Sequence, residues 1–248
     1  MKIIISPAKT LNFKRINFKK FTTPSFFNSS ELIIRELRKL APDEIEKKLK
    51  VNKKLALLNY ERYKNWKFED KNNSKQAIFT YNGYLFKNIE TNTLKEIELD
   101  YLQDNLFIIS TLYGLLKPFD LIMPYRLDFL AKIKINNKTL YDFWKTDIVN
   151  YLNKLDDEII INLASTEYSK LINRKKLNKK IINIVFKEFK NGKYKTTSMN
   201  AKKMRGKFLN FMAKESIINL ELLKKFNYDN YKFSEKESND NCFTFLKN

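Results

Sequence analysis

The chain has 248 residues, of which 48 are Lys or Arg and 28 are Asp or Glu, so its formal net charge at pH 7 is +20. With 43% hydrophobic residues it has enough apolar material for a folded core, which low-hydrophobicity disordered chains lack. It contains no His, one Cys and four Gly, which excludes His-dependent catalytic triads, His-ligated metal centres, an internal disulfide and a glycine-rich phosphate loop.

The first quarter of the sequence predicts one short strand followed by helices. Residues 2–5 are a β-branched apolar run that stops at a Ser-Pro pair, which indicates a buried strand and then a loop over residues 6–10. Apolar residues recur at helical spacing over residues 29–40. Pro42 is followed by two acidic residues, which predicts the start of another helix there, and we expect helical structure as far as Trp66.

The middle of the sequence alternates strand and helix. Apolar runs at residues 106–110 and 158–163 are short, as buried strands are, and residues 139–155 have the spacing of an amphipathic helix. Residues 112–127 contain one of the four Gly and two of the five Pro, so their backbone is tightly specified. We interpret this segment as a turn that opens onto a helix.

The last third of the sequence predicts a β-hairpin and then a helix. Asn191-Gly192 separates strand-like runs at residues 181–189 and 194–199, and Asn-Gly is the strongest short-range hairpin signal because both residues tolerate positive φ. Residues 201–214 then place Met and Phe side chains on one helical face.

These elements predict an α/β protein, more fully a mixed α+β fold, with a mixed central sheet surrounded by helices. Two aromatic-rich runs, residues 231–233 and 243–245, suit edge strands that close the sheet. No linker interrupts the sequence, so we treat residues 1–248 as one domain. Neither a signal peptide nor a run of roughly 20 apolar residues is recognisable, so we expect a cytoplasmic protein that does not bind membranes.

Positive charge is concentrated in one part of the chain. Residues 170–214 contain 15 Lys and Arg but one acid, Glu188, and so supply +14 of the net charge. Codon bias explains abundant Lys but not its clustering. A one-sided charge distribution suits a polyanion, because Lys and Arg that neutralise phosphates release condensed counterions. Nucleic acid is therefore the first partner to consider, with a solvated face, an acidic protein or a membrane surface as alternatives.

One candidate site is the loop after the first strand. Ser6-Pro7-Ala8-Lys9-Thr10 places two hydroxyls and a cation where α/β sheets usually carry functional groups. Lys9 would bind a phosphate, or act as a base if burial lowered its pKa. The alternative is that Ser6 and Thr10 satisfy turn backbone while Lys9 points to solvent.

Two further candidate segments follow the predicted strands of the middle region. In the first, a turn at Tyr113 and Gly114 would present unpaired backbone N–H groups that suit phosphate, and Lys117 and Arg126 add positive charge. A structural turn with a packed aromatic cluster explains the same residues. The second segment contains three polar residues, Asn162, Ser165 and Tyr168.

The hydroxyl of Ser165 has a simpler alternative role, because a serine in this position commonly caps the following helix. The helix expected after the hairpin supplies the last candidates. Lys202, Lys203, Arg205 and Lys207 follow its predicted start, where the helix macrodipole disfavours cations unless an anion joins them.

Together these segments predict one basic cleft. We expect the segments around Ser6, Tyr113, Ser165 and Lys202 to converge on it, because all four are strand ends or turns with groups that hold anions. The candidate nucleic-acid-binding residues are Lys9, Lys117, Arg126, Lys202, Lys203, Arg205 and Lys207. The candidate polar cleft residues are Ser6, Thr10, Tyr113, Gly114, Asn162, Ser165 and Tyr168.

Five blocks of the sequence resemble the YaaA family, bacterial proteins linked to peroxide stress and iron homeostasis. In chain order they are ISPAKTLNF from Ile5, STLYGLLKPFDLIMPYRL from Ser110, LYDFWKTDI from Leu140, INLASTEY from Ile161 and NAKKMRG from Asn200. Five ordered blocks make a specific match, and the resemblance covers essentially the whole chain. Tyr84 departs from the family pattern, in which an acidic residue often follows the preceding glycine.

The resemblance implies a cytoplasmic protein that protects against hydrogen peroxide by limiting free intracellular iron and hence oxidative DNA damage. It also implies binding of double-stranded DNA through a basic cleft with a helix-hairpin-helix element, on a mixed α/β fold peculiar to the family. The family brings no established catalytic residues.

Two functions of different classes stay open. The first is DNA binding with weak sequence specificity, since contacts of Lys and Arg to phosphates position a protein without reading bases, and no motif supplies a recognition helix. The second is an enzyme that acts on a phosphorylated or carboxylated small molecule, with Lys9 as base or nucleophile and Arg126 and Arg205 as anion clamps. Such a small anionic ligand is the second partner that we consider.

No cofactor or metal is expected, because the chain has no His, one Cys and no close carboxylate cluster. Cys242 lies in a polar context without a neighbouring cation to lower its pKa, so we do not expect it to scavenge peroxide.

Overall fold

The structure, a computed structural model, describes residues 1–67 and 73–247. The helices are α1 (Phe27–Leu37), α2 (Pro42–Leu49), α3 (Lys53–Asn65), α4 (Ala77–Thr80), α5 (Tyr84–Lys87), α6 (Glu96–Asn105), α7 (Leu140–Asn153), α8 (Thr166–Ser169), α9 (Ser198–Lys214) and α10 (Leu220–Leu223). The strands are β1 (Lys2–Ile5), β2 (Lys75–Gln76), β3 (Leu106–Ser110), β4 (Gly114–Leu116), β5 (Leu121–Ile122), β6 (Lys134–Ile135), β7 (Lys138–Thr139), β8 (Ile159–Asn162), β9 (Lys180–Lys190), β10 (Lys193–Lys195), β11 (Lys232–Phe233) and β12 (Cys242–Lys247).

The main sheet has eight strands in the order β11-β12-β9-β8-β1-β3-β4, with β10 paired to β9. β12, β9, β8, β1 and β3 run parallel to one another, and β4 and β11 are antiparallel edge strands. Helices pack against this sheet, α7 on β4 and α9 on β9. The expected mixed α/β architecture is confirmed.

β1 and β3 are buried on both faces, as parallel strands in α/β proteins are. Ile3, Ile4 and Ile5 have no exposed surface, and all five residues of β3 are buried. This is why both segments are continuous apolar runs rather than alternating ones, and why they were recognisable in the sequence. The hairpin predicted from Asn191-Gly192 is also confirmed, with Lys190 opposite Lys193.

The segment 112–127 does not open onto a helix, so that prediction is wrong. It forms β4, a turn over residues 117–120, and β5. The buried carboxylate of Asp120 accepts a hydrogen bond from the Lys117 N–H at 2.7 Å, which satisfies the turn backbone. Proline at position 118 fixes φ and has no N–H to donate, and these properties favour a turn over helix interior.

The run 243–245 is not an edge strand, as predicted, but lies inside the sheet. β12 pairs with β11 on one side and along its whole length with β9 on the other. The ring of Phe245 is fully buried and stacks on that of Phe186, with centroids 5.5 Å apart. The aromatic residues of this run therefore belong to the core, and the edge position belongs to β11.

α9 is a core helix that begins earlier than predicted, at Ser198. Nine of its 17 residues are buried, including the predicted apolar face. At Gly206 the helix touches α5 so closely that a Cβ would lie 2.3 Å from the carbonyl oxygen of Leu85. A side chain does not fit at this contact.

Candidate functional site

The loops after β1 and β8 meet at the carboxyl edge of the sheet. β3 and β8 lie on opposite sides of β1, so the sheet has a topological switch point beside β1, where α/β proteins usually bind ligands. The Ser6 hydroxyl accepts a hydrogen bond from the Ser165 N–H at 2.8 Å and donates to the Ser165 hydroxyl at 3.2 Å. Ser165 precedes α8, but its side chain makes no capping bond. It therefore ties the two loops together instead.

A buried chain of hydroxyl groups follows β3 at the same edge. The phenol oxygen of Tyr125 lies 2.7 Å from that of Tyr81 and 2.8 Å from the Ser110 hydroxyl. Burial raises the pKa of Tyr125 to about 12 and the pKa of Tyr81 well above its ordinary value. Both phenols are therefore protonated at neutral pH, and in the contact between them one donates and the other accepts.

Tyr113 and Gly114 have structural roles. The Tyr113 N–H donates to the Ser110 hydroxyl at 3.0 Å, and its phenol oxygen accepts from the indole N–H of Trp66 and the backbone N–H of Met123, each at 3.0 Å. Gly114 has a φ of +73°, and a Cβ there would lie 2.8 Å from the Trp144 ring. The alternative of a structural turn with a packed aromatic cluster therefore explains both residues.

Lys9 lies beside the carboxylate of Asp128. The Lys9 Nζ is 3.1 Å from Asp128 Oδ2, and the side chain of Lys9 is 57% exposed. Tyr168 is buried nearby, where burial and then the negative charge of Asp128 raise its pKa. Lys9 is therefore an exposed ion-pair partner of Asp128 and is not enclosed in a pocket.

Thr10 and Asn162 satisfy backbone in their turns. The Thr10 hydroxyl donates to the carbonyl of Asn82 at 2.5 Å. The amide oxygen of Asn162 accepts from the Ala164 N–H, and its NH₂ group donates to Asn183, both at 2.9 Å. These two residues hold the loops at the carboxyl edge.

Lys117 lies away from that edge. β4 runs antiparallel to β3, with Gly114 opposite Ser110 and Leu116 opposite Ile108. The chain at Lys117 has therefore turned back towards the amino end of β3. The structure does not bring Lys117 together with Ser6 and Ser165.

Three half-buried charged side chains each have a buried atom without a hydrogen-bond partner. These atoms are Nε of Arg126, Oε1 of Glu167 and Nε of Arg205. Burial also lowers the pKa of Arg205. Leaving a buried polar atom unpaired costs about 1–3 kcal/mol, so such atoms indicate positions where a ligand would supply the missing bond. Glu167 was not singled out in the sequence.

Acidic side chains neutralise part of the basic segment 170–214: Glu188 lies within the segment, and Asp229 and Glu237 lie further along the chain. The ion pairs and their N–O distances are Lys187–Glu237 at 2.8 Å, Lys190–Glu188 at 2.9 Å, Lys203–Asp229 at 2.5 Å and Lys207–Asp229 at 3.0 Å. The free positive charge of this segment is therefore smaller than its composition suggests.

The cations of α9 are not at the start of the helix, so the macrodipole argument for them is wrong. Because α9 begins at Ser198, Lys202 and Lys203 lie in its second turn, where the effect has faded. Hydrogen bonds from Lys203 and then Lys207 lower the pKa of Asp229. The carboxylate of Asp229 therefore pairs with both Lys203 and Lys207 without a bound anion.

α9 reaches the carboxyl-edge loops through α5. Gly206 packs on Leu85, and a Cβ on Gly83, just before α5, would lie 2.7 Å from the Cβ of Ala8. Among residues 1–67 and 73–247, Lys202 and Lys203 make no hydrogen bond or ion pair to the other three candidate segments. Direct contacts thus join the Ser6 and Ser165 segments, and α9 is connected to them by packing alone.

Sequence reasoning missed a second basic surface, the tip of a helical hairpin formed by α2 and α3. Lys50, Val51 and Asn52 join the two helices, which pack against each other. Lys50 has a φ of 52°, and the side chain of Asn52 caps α3 by accepting a hydrogen bond from the Leu55 N–H at 2.9 Å. The signal in the sequence was present, since residues 47–54 contain five lysines.

The lysines of this hairpin tip are Lys47, Lys48, Lys50, Lys53 and Lys54. All but Lys48 are exposed, and in the described part of the chain none has an acidic partner within ion-pair distance. Lys53 and Lys54 lie in the first turn of α3, which contains no acid. This is the arrangement that a helix macrodipole disfavours unless an anion binds, and it occurs at α3 rather than at α9.

Within residues 1–67 and 73–247, no cluster of three or more Cys, Asp or Glu residues could hold a metal ion. In the same residues, no helix is long and apolar enough to cross a membrane.

Comparison with known proteins identifies the family. The family model described as "Peroxide stress protein YaaA" matches residues 1–237. The chain belongs to the YaaA peroxide stress protein family. The resemblance carried by the five sequence blocks is thereby confirmed.

Individual relatives align with the chain over all or nearly all of their length. The chain is 44% identical to a UPF0246 protein of Rickettsia bellii (strain OSU 85-389), and the alignment covers all of both proteins. It is 40% identical to a UPF0246 protein of Neisseria gonorrhoeae (strain NCCP11945), with all of this chain and 98% of the relative aligned. These names describe no activity, so the relatives establish the family and not a reaction.

Proposed function

We propose that the protein is a cytoplasmic peroxide-stress protein that binds double-stranded DNA with little sequence specificity and limits iron-dependent oxidative damage. DNA would bind in a basic cleft, with the α2–α3 hairpin as the helix-hairpin-helix element. The peroxide role rests on the family, and the iron role rests on the resemblance alone.

The observation that carries the DNA part is the hairpin tip. Its exposed lysines have no acidic partners among the described residues, so a phosphate backbone would replace only water and counterions around them. The N-terminus of α3 lies at the same hairpin tip, where its first-turn N–H groups and the positive end of its dipole also favour an anion.

Little sequence specificity follows from the type of contact. Lysine ammonium groups and helix N-termini bind phosphates, which carry no sequence information.

Binding to random DNA duplexes, measured from about 50 to 200 mM salt, tests the proposal. We expect affinity to fall steeply and linearly on logarithmic axes, because each neutralised phosphate releases counterions. A flat salt response, or no binding at low salt, would reject DNA binding.

A peroxide challenge in cells tests the biological role. We expect Cys242→Ala to retain full protection, because its thiol lies in a polar sequence context without a neighbouring cation to activate it, and its Sγ is 3.9 Å from the Thr244 hydroxyl. A variant with glutamine at Lys50, Lys53 and Lys54 should lose protection. If the cysteine variant fails while the lysine variant protects, a thiol mechanism replaces the proposal.

The enzyme alternative loses its proposed base but keeps its anion-binding groups. Lys9 is exposed and paired with Asp128, which does not suit a base or nucleophile. Arg126 and Arg205, the proposed anion clamps, each retain an unpartnered buried Nε. A ligand site is therefore better supported than a reaction.

A further inference from the structure

Two arginines lie on segments that contact each other, one of them a helix of the α2–α3 hairpin. Arg62 is on α3, and Arg126 is in the segment after β5. Tyr63, which is buried next to Arg62, donates its phenol O–H to the backbone carbonyl of Arg126. This bond fixes the backbone of Arg126 against α3, at the residue next to Arg62.

The two guanidinium groups affect each other electrostatically. Burial is the main reason why the pKa of Arg62 is lowered, and the positive charge of Arg126 lowers it further. Placing like charges together in a partly desolvated region costs free energy unless an anion lies between them.

Among the described residues, no carboxylate pairs with either arginine to offset this repulsion. In residues 1–67 and 73–247, no acid lies within ion-pair distance of either guanidinium, and the nearby Asp128 is paired with Lys9. Arg62 instead donates to the amide oxygen of Asn59 at 3.2 Å, and Asn59 is itself fully buried. The side chain of Arg62 is therefore held in place without being neutralised.

Arg126 also has an unused donor. Its Nε is buried and has no hydrogen-bond partner. A guanidinium presents Nε and a terminal nitrogen as a fork that matches two oxygens of one oxyanion. Two such forks supply two positive charges, which a phosphoryl group with two negative charges balances, whereas a single carboxylate balances one.

We propose that Arg62 and Arg126 form a phosphoryl-binding site between α3 and the segment after β5. The site goes beyond the proposed function, because it does not require DNA. Its phosphoryl group has two possible sources, the backbone of nucleic acid held by the hairpin or a free phosphorylated small molecule.

Calorimetric titration of the full chain with inorganic pyrophosphate at low salt tests the site. We expect saturable binding that weakens at least about tenfold in Arg62→Gln and in Arg126→Gln, because charge-assisted hydrogen bonds are lost. Arg126→Lys should weaken it similarly, since lysine keeps the charge but lacks the fork. Arg35→Gln, at an exposed arginine of α1, is the matched control and should bind as the wild type does.

Thermal unfolding without phosphate separates a binding role from a structural one. Removing one of two unneutralised like charges should leave the melting temperature of Arg126→Gln unchanged or higher. The proposal is overturned if that variant melts lower, if the wild type does not bind pyrophosphate, or if all variants bind it equally.

A competition experiment distinguishes the two sources. Displacement of pyrophosphate by a random DNA duplex would assign the site to the nucleic-acid backbone. Pyrophosphate binding that persists in saturating duplex, or in a protein that binds no duplex, would assign it to a free phosphorylated molecule. Either result supports the arginine site. The second result would support it even if the protein does not bind DNA.

Discussion

The α2–α3 hairpin and α9 are both rich in cations, but they differ in what surrounds those cations. In α9, nine of 17 residues are buried, and Asp229 pairs with Lys203 and Lys207. In α3, three of 13 residues are buried, and its first turn has two lysines and no acid. Clustering of lysines in the sequence therefore does not predict how much of their positive charge is free. The positions of the acids and of the buried face decide it.

The largest effect should come from the packing of α9. Gly206→Ala would place a Cβ against the carbonyl oxygen of Leu85, a backbone atom that cannot move without shifting α5. We expect the free energy of unfolding in urea to fall by about 3 kcal/mol. Gly192→Ala is the control, because nothing lies within 4 Å of its Cβ position and only its positive φ of 76° is strained, at a cost of about 1 kcal/mol. Equal losses would show that α9 is not tightly packed on α5.

Removing the charges of the hairpin tip should weaken DNA binding and leave the stability of the fold nearly unchanged. With glutamine at Lys50, Lys53 and Lys54, we expect duplex affinity to fall and the slope of log affinity against log salt to become shallower by about three units. The free energy of unfolding should change little, because the three side chains are exposed. An unchanged slope would remove the hairpin from the interface.

The corresponding change in α9 should have a smaller effect on DNA. With alanine at Lys202, Lys203 and Arg205, we expect the salt slope to change by at most about one unit. Lys203 is paired with Asp229 and Arg205 is half-buried. Of the three, Lys202 is the exposed cation that makes no ion pair within residues 1–67 and 73–247. A slope change near three units would show that α9 is the main contact surface and reverse the comparison.

Local patterns in the sequence were enough to predict several strands, among them β1, β3 and β8, and the hairpin, but not how much of the charge of the basic segment is neutralised. Continuous apolar runs identify β1 and β3, and Asn191-Gly192 identifies the turn between β9 and β10. Asp229 is 22 residues from Lys207, and their contact depends on how the chain folds back after α9. No local pattern contains that information.

The candidate site was predictable to a similar extent. Polar residues after β1 and β8 do meet, because carboxyl ends of neighbouring parallel strands share an edge. Lys117 does not join them, because β4 turns back along β3, and a sequence does not show the direction of a short strand. Arg62 was missed because a single arginine on a polar helix has no distinctive pattern.

The smallest effect concerns the pH dependence of the α9 ion pairs. Hydrogen bonds from Lys203 and Lys207 lower the pKa of Asp229 in the folded protein. The stability contributed by these pairs is therefore present above the unfolded pKa, about 3.9, and is lost as pH falls through the lower folded value. Between about pH 7 and pH 2, the free energy of unfolding in urea should fall less for Asp229→Asn than for the wild type. The difference between the two decreases should be about 1 kcal/mol or less. Identical pH curves would mean that the pairs contribute nothing.

Hydrogen–deuterium exchange with and without a random DNA duplex at low salt tests most directly where DNA binds. We expect amides of residues 47–55, at the turn and the first turn of α3, to become protected, and those of residues 200–207 in α9 to remain unchanged. Protection in α9 with none at the hairpin would contradict it.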